Sequence, residues 1–75
     1  MKKVTQPAPG TDIADRSDGA VLVMDEPRDG WPRAHVRLAD GTEHAPRALA
    51  VLIAHGHWEL RTLVNLAPDS HYEQT

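Results

Sequence analysis

The chain has no cysteine among its 75 residues. This absence excludes disulfide bonds and thiolate metal sites, which stabilise many small domains. A chain of this length forms one domain at most, and it buries a smaller fraction of its surface than a larger domain does. We therefore expect its stability to depend on good local structure, on a partner or on a second copy of the chain.

Phenylalanine is absent as well, and Lys2 and Lys3 are the only lysines. The core must therefore consist mainly of aliphatic side chains, and Trp31 and Trp58 will dominate whatever they contact. Eight basic residues stand against eleven acidic ones, which gives a formal net charge of -3. Proteins that neutralise phosphate groups usually have the opposite balance, so the composition disfavours nucleic acid as a partner.

No apolar run is long enough to cross a membrane, since the longest one covers only residues 48–54. The two lysines near the N-terminus are not followed by an apolar stretch, so we predict no signal peptide. Together with the absence of cysteine, this favours a cytoplasmic location.

The distribution of breaker and acidic residues predicts three segments. Residues 1–18 contain two prolines and a glycine, and their acidic second half has Ile13 as its single large apolar residue, so we predict a flexible N-terminal tail. Residues 67–75 are predicted to be a frayed C-terminal tail. Residues 19–66 then form a single α+β domain.

Two apolar patterns in the first half of the chain predict a β-hairpin. Residues 19–24 form a short apolar run, which is typical of a strand covered on both faces. Residues 33–39 alternate between apolar and polar side chains, which is typical of a half-buried strand. Asp29-Gly30 is a turn signal between them, and we expect a loose loop over residues 25–32 because it also contains two prolines.

Residues 46–55 fit two different structures. A proline at the start, several alanines and leucines, and Gly56 in the place of a C′ glycine favour a helix. The run is apolar on every side, however, and a buried strand would have the same pattern. Residues 58–66 alternate and predict a final strand, with Trp58 on its more apolar face.

The order of the predicted elements is strand, strand, helix, strand. We predict an α+β fold in which a small antiparallel sheet of three to four strands packs against one short helix. A small all-β barrel of five short strands is the alternative.

The histidines suggest a metal site as one alternative. His55 and His57 form a His-x-His pair, and His44 becomes a third ligand if the helix folds back onto the preceding turn. Their spacing matches no established metal motif, and the favoured explanation is that His55 caps the carbonyls of the helix and the other histidines are exposed to solvent. We predict no cofactor and keep a histidine metal-binding module as an alternative function.

A basic stripe on the predicted second strand suggests another alternative. Arg33, His35 and Arg37 share one face of that strand, and a sheet face with arginines and an aromatic residue is one way to hold nucleic acid. The other explanation is a solvated face whose basic groups pair with acidic side chains across the sheet. The candidate acidic partners are Asp40, Glu43 and Glu59.

No residue pattern points to catalysis. Ser17 and Ser70 lie in the predicted tails, where nothing holds them near a base. The acidic residues between the first two strands are expected in a turn for structural reasons, and the scattered glycines form no phosphate-binding loop. We predict that the chain is not an enzyme.

Trp31 is the strongest candidate for a contact with a partner. It lies between Gly30 and Pro32, which restrain it, and tryptophan and arginine are enriched at the energetic centres of protein interfaces. The alternative is that Trp31 folds over the edge of the sheet and covers the core. The predicted partner-binding residues are Trp31, Arg28, Asp29, Arg33 and Arg37.

We therefore expect a small non-enzymatic protein-binding module, an inhibitor or adaptor that occludes a surface of a partner protein. A phage or mobile-element inhibitor such as an anti-CRISPR protein is one candidate class, by analogy of size and charge alone. A homodimer is a further expectation, because residues 19–24 carry no charge to discourage strand pairing if they lie at an edge of the sheet.

Overall fold

The computed structural model describes residues 6–68, which form an antiparallel sheet and a short helix. Within this range the sheet has five strands in the order β4-β3-β2-β1-β5, and its two edge strands do not pair with each other. The predicted α+β class is confirmed, and the sheet is not a closed barrel. The elements are β1 (Asp12–Asp15), β2 (Val21–Arg28), β3 (Trp31–Arg37), β4 (Arg47–Ala48), α1 (Leu49–Ala54) and β5 (Glu59–Leu60).

The β2–β3 hairpin is longer and tighter than the sequence predicts. Arg28 pairs directly with Trp31, so only Asp29 and Gly30 connect the strands, and the expected loose loop over residues 25–32 is wrong. Asp29 has φ of 54° and Gly30 has φ of 82°. Positive φ at both central residues is the mark of a type I′ turn, whose twist matches the twist of the two strands.

The predicted flexible tail at residues 1–18 is wrong for the part that the structure describes. Strand β1 lies between β2 and β5, and both Ile13 and Ala14 are completely buried. The β1–β2 register shifts between Asp12 and Ala14, and this irregularity lets two consecutive side chains be buried. Residues 1–5 lie outside the described part.

The final strand is shorter than the predicted range of 58–66. After β5 the chain runs beside the N-terminal segment, and the Arg61 N–H donates to the Ile13 carbonyl at 2.8 Å. The side chain of Gln6 then holds the backbone N–H and carbonyl of Asn65 at 2.8 and 2.7 Å. Of the predicted frayed tail at 67–75, all but the first two residues lie outside the described range.

The helix of the ambiguous segment 46–55 is present, but it has only six residues because β4 uses the two residues before it. Gly56 does not have the positive φ of a C′ glycine. Its role is steric, because a Cβ at this position would collide with the indole of Trp58. The missing Cβ allows the Trp58 Nε1–H to donate to the Leu52 carbonyl at 3.1 Å.

One face of the sheet forms the core together with α1. Strand β3 alternates between buried and partly exposed residues and directs Ala34 and Val36 to this face, and β2 contributes Leu22 and Met24. Val23, between the two β2 residues, is also buried but does not belong to this cluster. Leu49 at the start of α1 is completely buried against them, and Trp58 packs at the margin. The buried residues of this cluster are Ile13, Ala14, Ala20, Leu22, Met24, Ala34, Val36 and Leu49.

Replacing Ile13 by alanine tests whether β1 belongs to the core. We expect Ile13→Ala to lower the free energy of unfolding by about 2–4 kcal/mol, because it leaves a cavity under the sheet. Urea denaturation followed by tryptophan fluorescence measures this change. Leu63→Ala is the control, since Leu63 is 73% exposed and should change stability by less than about 0.5 kcal/mol. Equally small effects in both variants would contradict the position of β1.

Candidate functional site

The hairpin tip, defined as residues 28–31, presents an aromatic and a basic side chain together. Trp31 is 48% exposed and begins β3 rather than lying in a loop, and Arg28 is exposed directly opposite it. Within residues 6–68, the guanidinium of Arg28 has no hydrogen-bond or ion-pair partner. Trp31 therefore does not act as a lid on the core, and the tip leaves both side chains available for contacts.

The predicted basic stripe lies on the face of the sheet opposite the core. Trp31 and the three basic residues of β3 alternate with buried residues, so all four share this outer face. Arg33 donates from Nη2 to the Pro46 carbonyl at 2.9 Å. Arg37 donates from Nη2 to Oδ2 of Asp12 at 3.1 Å.

His35 lies at the centre of the stripe, between two carboxylates. Its Nδ1 is 2.7 Å from Oδ2 of Asp25 on the neighbouring strand. Its Nε2 is 3.3 Å from Oε1 of Glu43, which is within ion-pair distance although the two groups are not aligned as a hydrogen bond. Val23, whose ladder neighbours are His35 and Asp12, is only 6% exposed, so an apolar patch lies beneath this charged layer.

A second ion-pair cluster connects β1 to the residue after β5. Arg61 donates two hydrogen bonds to the carboxylate of Asp15, at 2.8 and 2.7 Å, and its Nη1 is 3.9 Å from Oδ2 of Asp12. The hydrogen bond from Arg61 lowers the pKa of Asp15, and the same bond raises the pKa of Arg61. This pair fixes the chain after β5 to the sheet.

These contacts separate the predicted partner-binding residues into two groups. Arg28, Asp29 and Trp31 come together at the hairpin tip. Arg33 and Arg37 are engaged along β3, and Arg37 lies about 20 Å from Trp31 at the usual rise of a strand. Of the acidic partners expected across the sheet, Glu43 does approach the stripe, whereas Asp40 accepts a hydrogen bond from the Thr42 N–H at 2.9 Å.

The structure does not assemble the histidines expected for a metal site. Across residues 6–68, no group of three or more His, Asp or Glu side chains is arranged to hold a metal ion. His44 and His55 instead line a surface groove beside α1, and His57 is exposed. Ser17 is exposed in the β1–β2 turn, and Ser70 lies outside the described part.

Two surface features have no counterpart in the sequence-based predictions. The first is the groove beside α1, which combines residues distant in sequence and could be found only once the fold was known. The second is a set of three leucine side chains, one in edge strand β5 and two after it, that are more than a third exposed and are called the β5 margin below. These leucines are Leu60, Leu63 and Leu66.

Replacing Asp15 by asparagine tests the β1–β5 ion pair. Because Arg61 lowers the pKa of Asp15 below its ordinary value of 3.8, the pair stabilises the fold above that value. The contribution disappears as the pH falls through the lowered pKa of the folded state. We expect Asp15→Asn to reduce the melting temperature modestly at pH 7, because the pair is exposed to solvent.

Melting temperatures of the natural chain and the Asp15→Asn variant, recorded from pH 7 to pH 2, should converge at the acidic end. Glu26→Gln is the control, because Glu26 is an exposed strand carboxylate without an ion pair among the described residues. A constant difference between the natural chain and Asp15→Asn at every pH would show that the carboxylate does not act through its charge.

Within residues 6–68, no helix has the length and apolar character needed to span a bilayer. Comparisons with protein-family models, with curated proteins and with solved structures found no match to this chain.

Proposed function

We propose that this chain is a non-enzymatic protein-binding module, an inhibitor or adaptor that covers part of the surface of a partner protein. The observation that supports this proposal most directly is the hairpin tip, where a half-exposed Trp31 lies opposite Arg28, whose guanidinium has no partner within the described part of the chain. Tryptophan and arginine are the residue types most often found at the energetic centre of protein interfaces.

The tip is an ordered β-turn in the free chain. A two-residue type I′ turn closes it, and β2 and β3 are paired along most of their length below it. A partner that contacts a preformed surface does not have to order it, so less of the contact energy is lost on binding. Trp31 also has only two side-chain torsions to fix, which keeps the entropic cost of its immobilisation low.

The tip is the centre of the proposed interface rather than the whole of it. A stable protein interface covers about 800 Å² and about 20–30 residues on each partner, whereas the hairpin tip is only residues 28–31. The partner must therefore extend beyond the tip along the outer face, where Arg33 is the nearest basic residue of the stripe. Arg33 and Arg37 belong to the rim in this arrangement.

Nucleic-acid binding by the basic stripe has weaker support. Each of its three members is engaged by an oxygen acceptor of the chain, and two of them contact carboxylates. Phosphate would have to displace these carboxylates, and affinity for nucleic acid depends on unmatched positive charge.

A phage or mobile-element inhibitor remains one candidate class for the protein-binding function, supported by the small size and acidity of the chain.

A second copy of the chain is another candidate partner, although not through residues 19–24. Those residues contribute to β2, which lies between β1 and β3, so they have no free edge. Among the described residues the edge strands of the sheet are β4 and β5, and the exposed leucines lie in β5 and after it. A homodimer would therefore use the β5 margin and leave the hairpin tip free for another protein.

Replacing Trp31 by alanine tests the proposed function. Captures with tagged natural chain and with tagged Trp31→Ala, from the organism that encodes the chain, identify proteins held only by the natural form. Calorimetry with the purified partner then measures affinity. We expect Trp31→Ala to weaken binding about thirtyfold or more, which corresponds to about 2 kcal/mol, without changing the urea midpoint by more than a small amount.

Leu63→Ser is the matched control, because it removes an exposed apolar side chain that is not part of the hairpin tip. We expect this variant to bind the partner as the natural chain does. If Leu63→Ser abolishes binding and Trp31→Ala does not, the partner uses the β5 margin and the role of the hairpin tip is refuted. Specific turnover of a small molecule by the purified chain would refute the non-enzymatic function.

A further inference from the structure

A groove runs beside α1 on the core side of the sheet, away from the outer face. It consists of two adjoining cavities of about 410 and 340 Å³. Val36, Arg47 and Leu52 line both cavities, so the two form one continuous depression. Val51, which is 43% exposed, extends the apolar lining along the helix.

The ionisable residues that line this groove are all basic. In a chain with a net charge of -3, neither cavity has an acidic residue in its lining. Arg16 is already matched by Asp18, to which it donates two hydrogen bonds of 2.9 Å. Arg47, by contrast, has no hydrogen-bond or ion-pair partner among residues 6–68. His44 and His55 flank it at the two ends of the groove.

One wall of the groove is fixed by contacts that do not involve a ligand. The indole of Trp58 donates to the Leu52 carbonyl at 3.1 Å. The guanidinium of Arg16 lies over the same ring, 4.9 Å from its centroid. Trp58 is therefore held between α1 and the β1–β2 connection, and the groove exists in the free protein.

We infer that this groove binds an acidic segment of a partner protein that also carries aliphatic side chains. An aliphatic side chain of the segment packs against Val36, Val51 and Leu52, and a carboxylate pairs with Arg47. Arginine suits this role because its planar guanidinium binds a carboxylate through two parallel hydrogen bonds. A purely polar anion would leave the apolar lining exposed, and a purely apolar segment would leave Arg47 unpaired.

This inference extends the proposed function, because it assumes that the ligands of the chain are proteins. It assigns them a second contact site that is chemically different from the hairpin tip. The tip offers a protruding aromatic side chain and a single arginine, whereas the groove offers a concave basic and aliphatic surface.

Fluorescence titration of the full chain tests the groove directly. In a Trp31→Phe background, Trp58 is the single tryptophan and reports on the groove in which it lies. The probe is an acetylated, amidated hexapeptide of alternating leucine and glutamate. We expect a saturable change in Trp58 emission with a dissociation constant below about 1 mM, in the range of weak peptide binding.

Two comparison peptides separate the contributions of charge and apolar contact. One alternates leucine and lysine, and the other alternates serine and glutamate. We expect each to bind at least tenfold more weakly than the leucine–glutamate peptide. Equal binding of the lysine peptide would overturn the charge argument, and equal binding of the serine peptide would overturn the apolar argument.

Arg47→Gln and Thr62→Glu form a matched pair of variants that each lower the net charge by one at two different places, and Thr62 is exposed and lies outside both the groove and the hairpin tip. We expect Arg47→Gln to weaken binding of the acidic peptide at least tenfold and Thr62→Glu to leave it unchanged. Val51→Asp provides a second test that retains Arg47, and it should weaken binding similarly. Urea midpoints establish that each variant is folded.

The possible failures are distinguishable. No change in Trp58 emission with the acidic peptide, or equal weakening by Arg47→Gln and Thr62→Glu, would overturn the groove as a binding site. Either result leaves the test of the hairpin tip unaffected, because that test depends on Trp31 and uses the purified partner. Conversely, the acidic peptide could bind the groove as expected while Trp31→Ala leaves affinity for the purified partner unchanged. That result would refute the role of the hairpin tip and leave the groove as a binding site.

Discussion

The fold depends on the insertion of β1 between β2 and β5. Ile13 is completely buried at the centre of this arrangement, and its carbonyl accepts the N–H of Arg61. The Asp15–Arg61 ion pair supports the same connection from the outer face. Without β1, the sheet would lose the strand that lies between β2 and β5. Strand β5 would then have no strand to pair with, and the segment after α1 would not be attached to the sheet.

The sequence predicts the central part of the fold because the signals there are local. Alternation along β3 and the Asp29-Gly30 dipeptide depend on residues that are close in the chain, and both correspond to observed structure. Strand β1 is missed because acidic residues surround Ile13 and because the irregular pairing with β2 breaks the period of two. The predicted final strand is too long, because apolar and polar residues continue to alternate after β5 although Leu63 is 73% exposed there.

The candidate site is predictable only in part, for the same physical reason. Arg28, Asp29 and Trp31 are neighbours in the chain, so the sequence alone places them together. The partners of the basic stripe come from β1, β2 and the segment before β4, and their pairing depends on sheet register. The groove beside α1 is even less predictable from the sequence, because its lining residues come from four separate parts of the chain.

Gly56 gives the groove a steric constraint that the exposed lining residues Arg47 and Val51 do not have. A methyl group on this glycine would lie 2.8 Å from Cδ1 of Trp58 and 3.3 Å from the Leu52 carbonyl, so even alanine would displace the indole. The side chains at Arg47 and Val51 are exposed and can vary without such a collision. Natural variation at residues 47 and 51 should therefore alter which ligands the groove prefers. The position of the Trp58 indole, in contrast, should require glycine at residue 56.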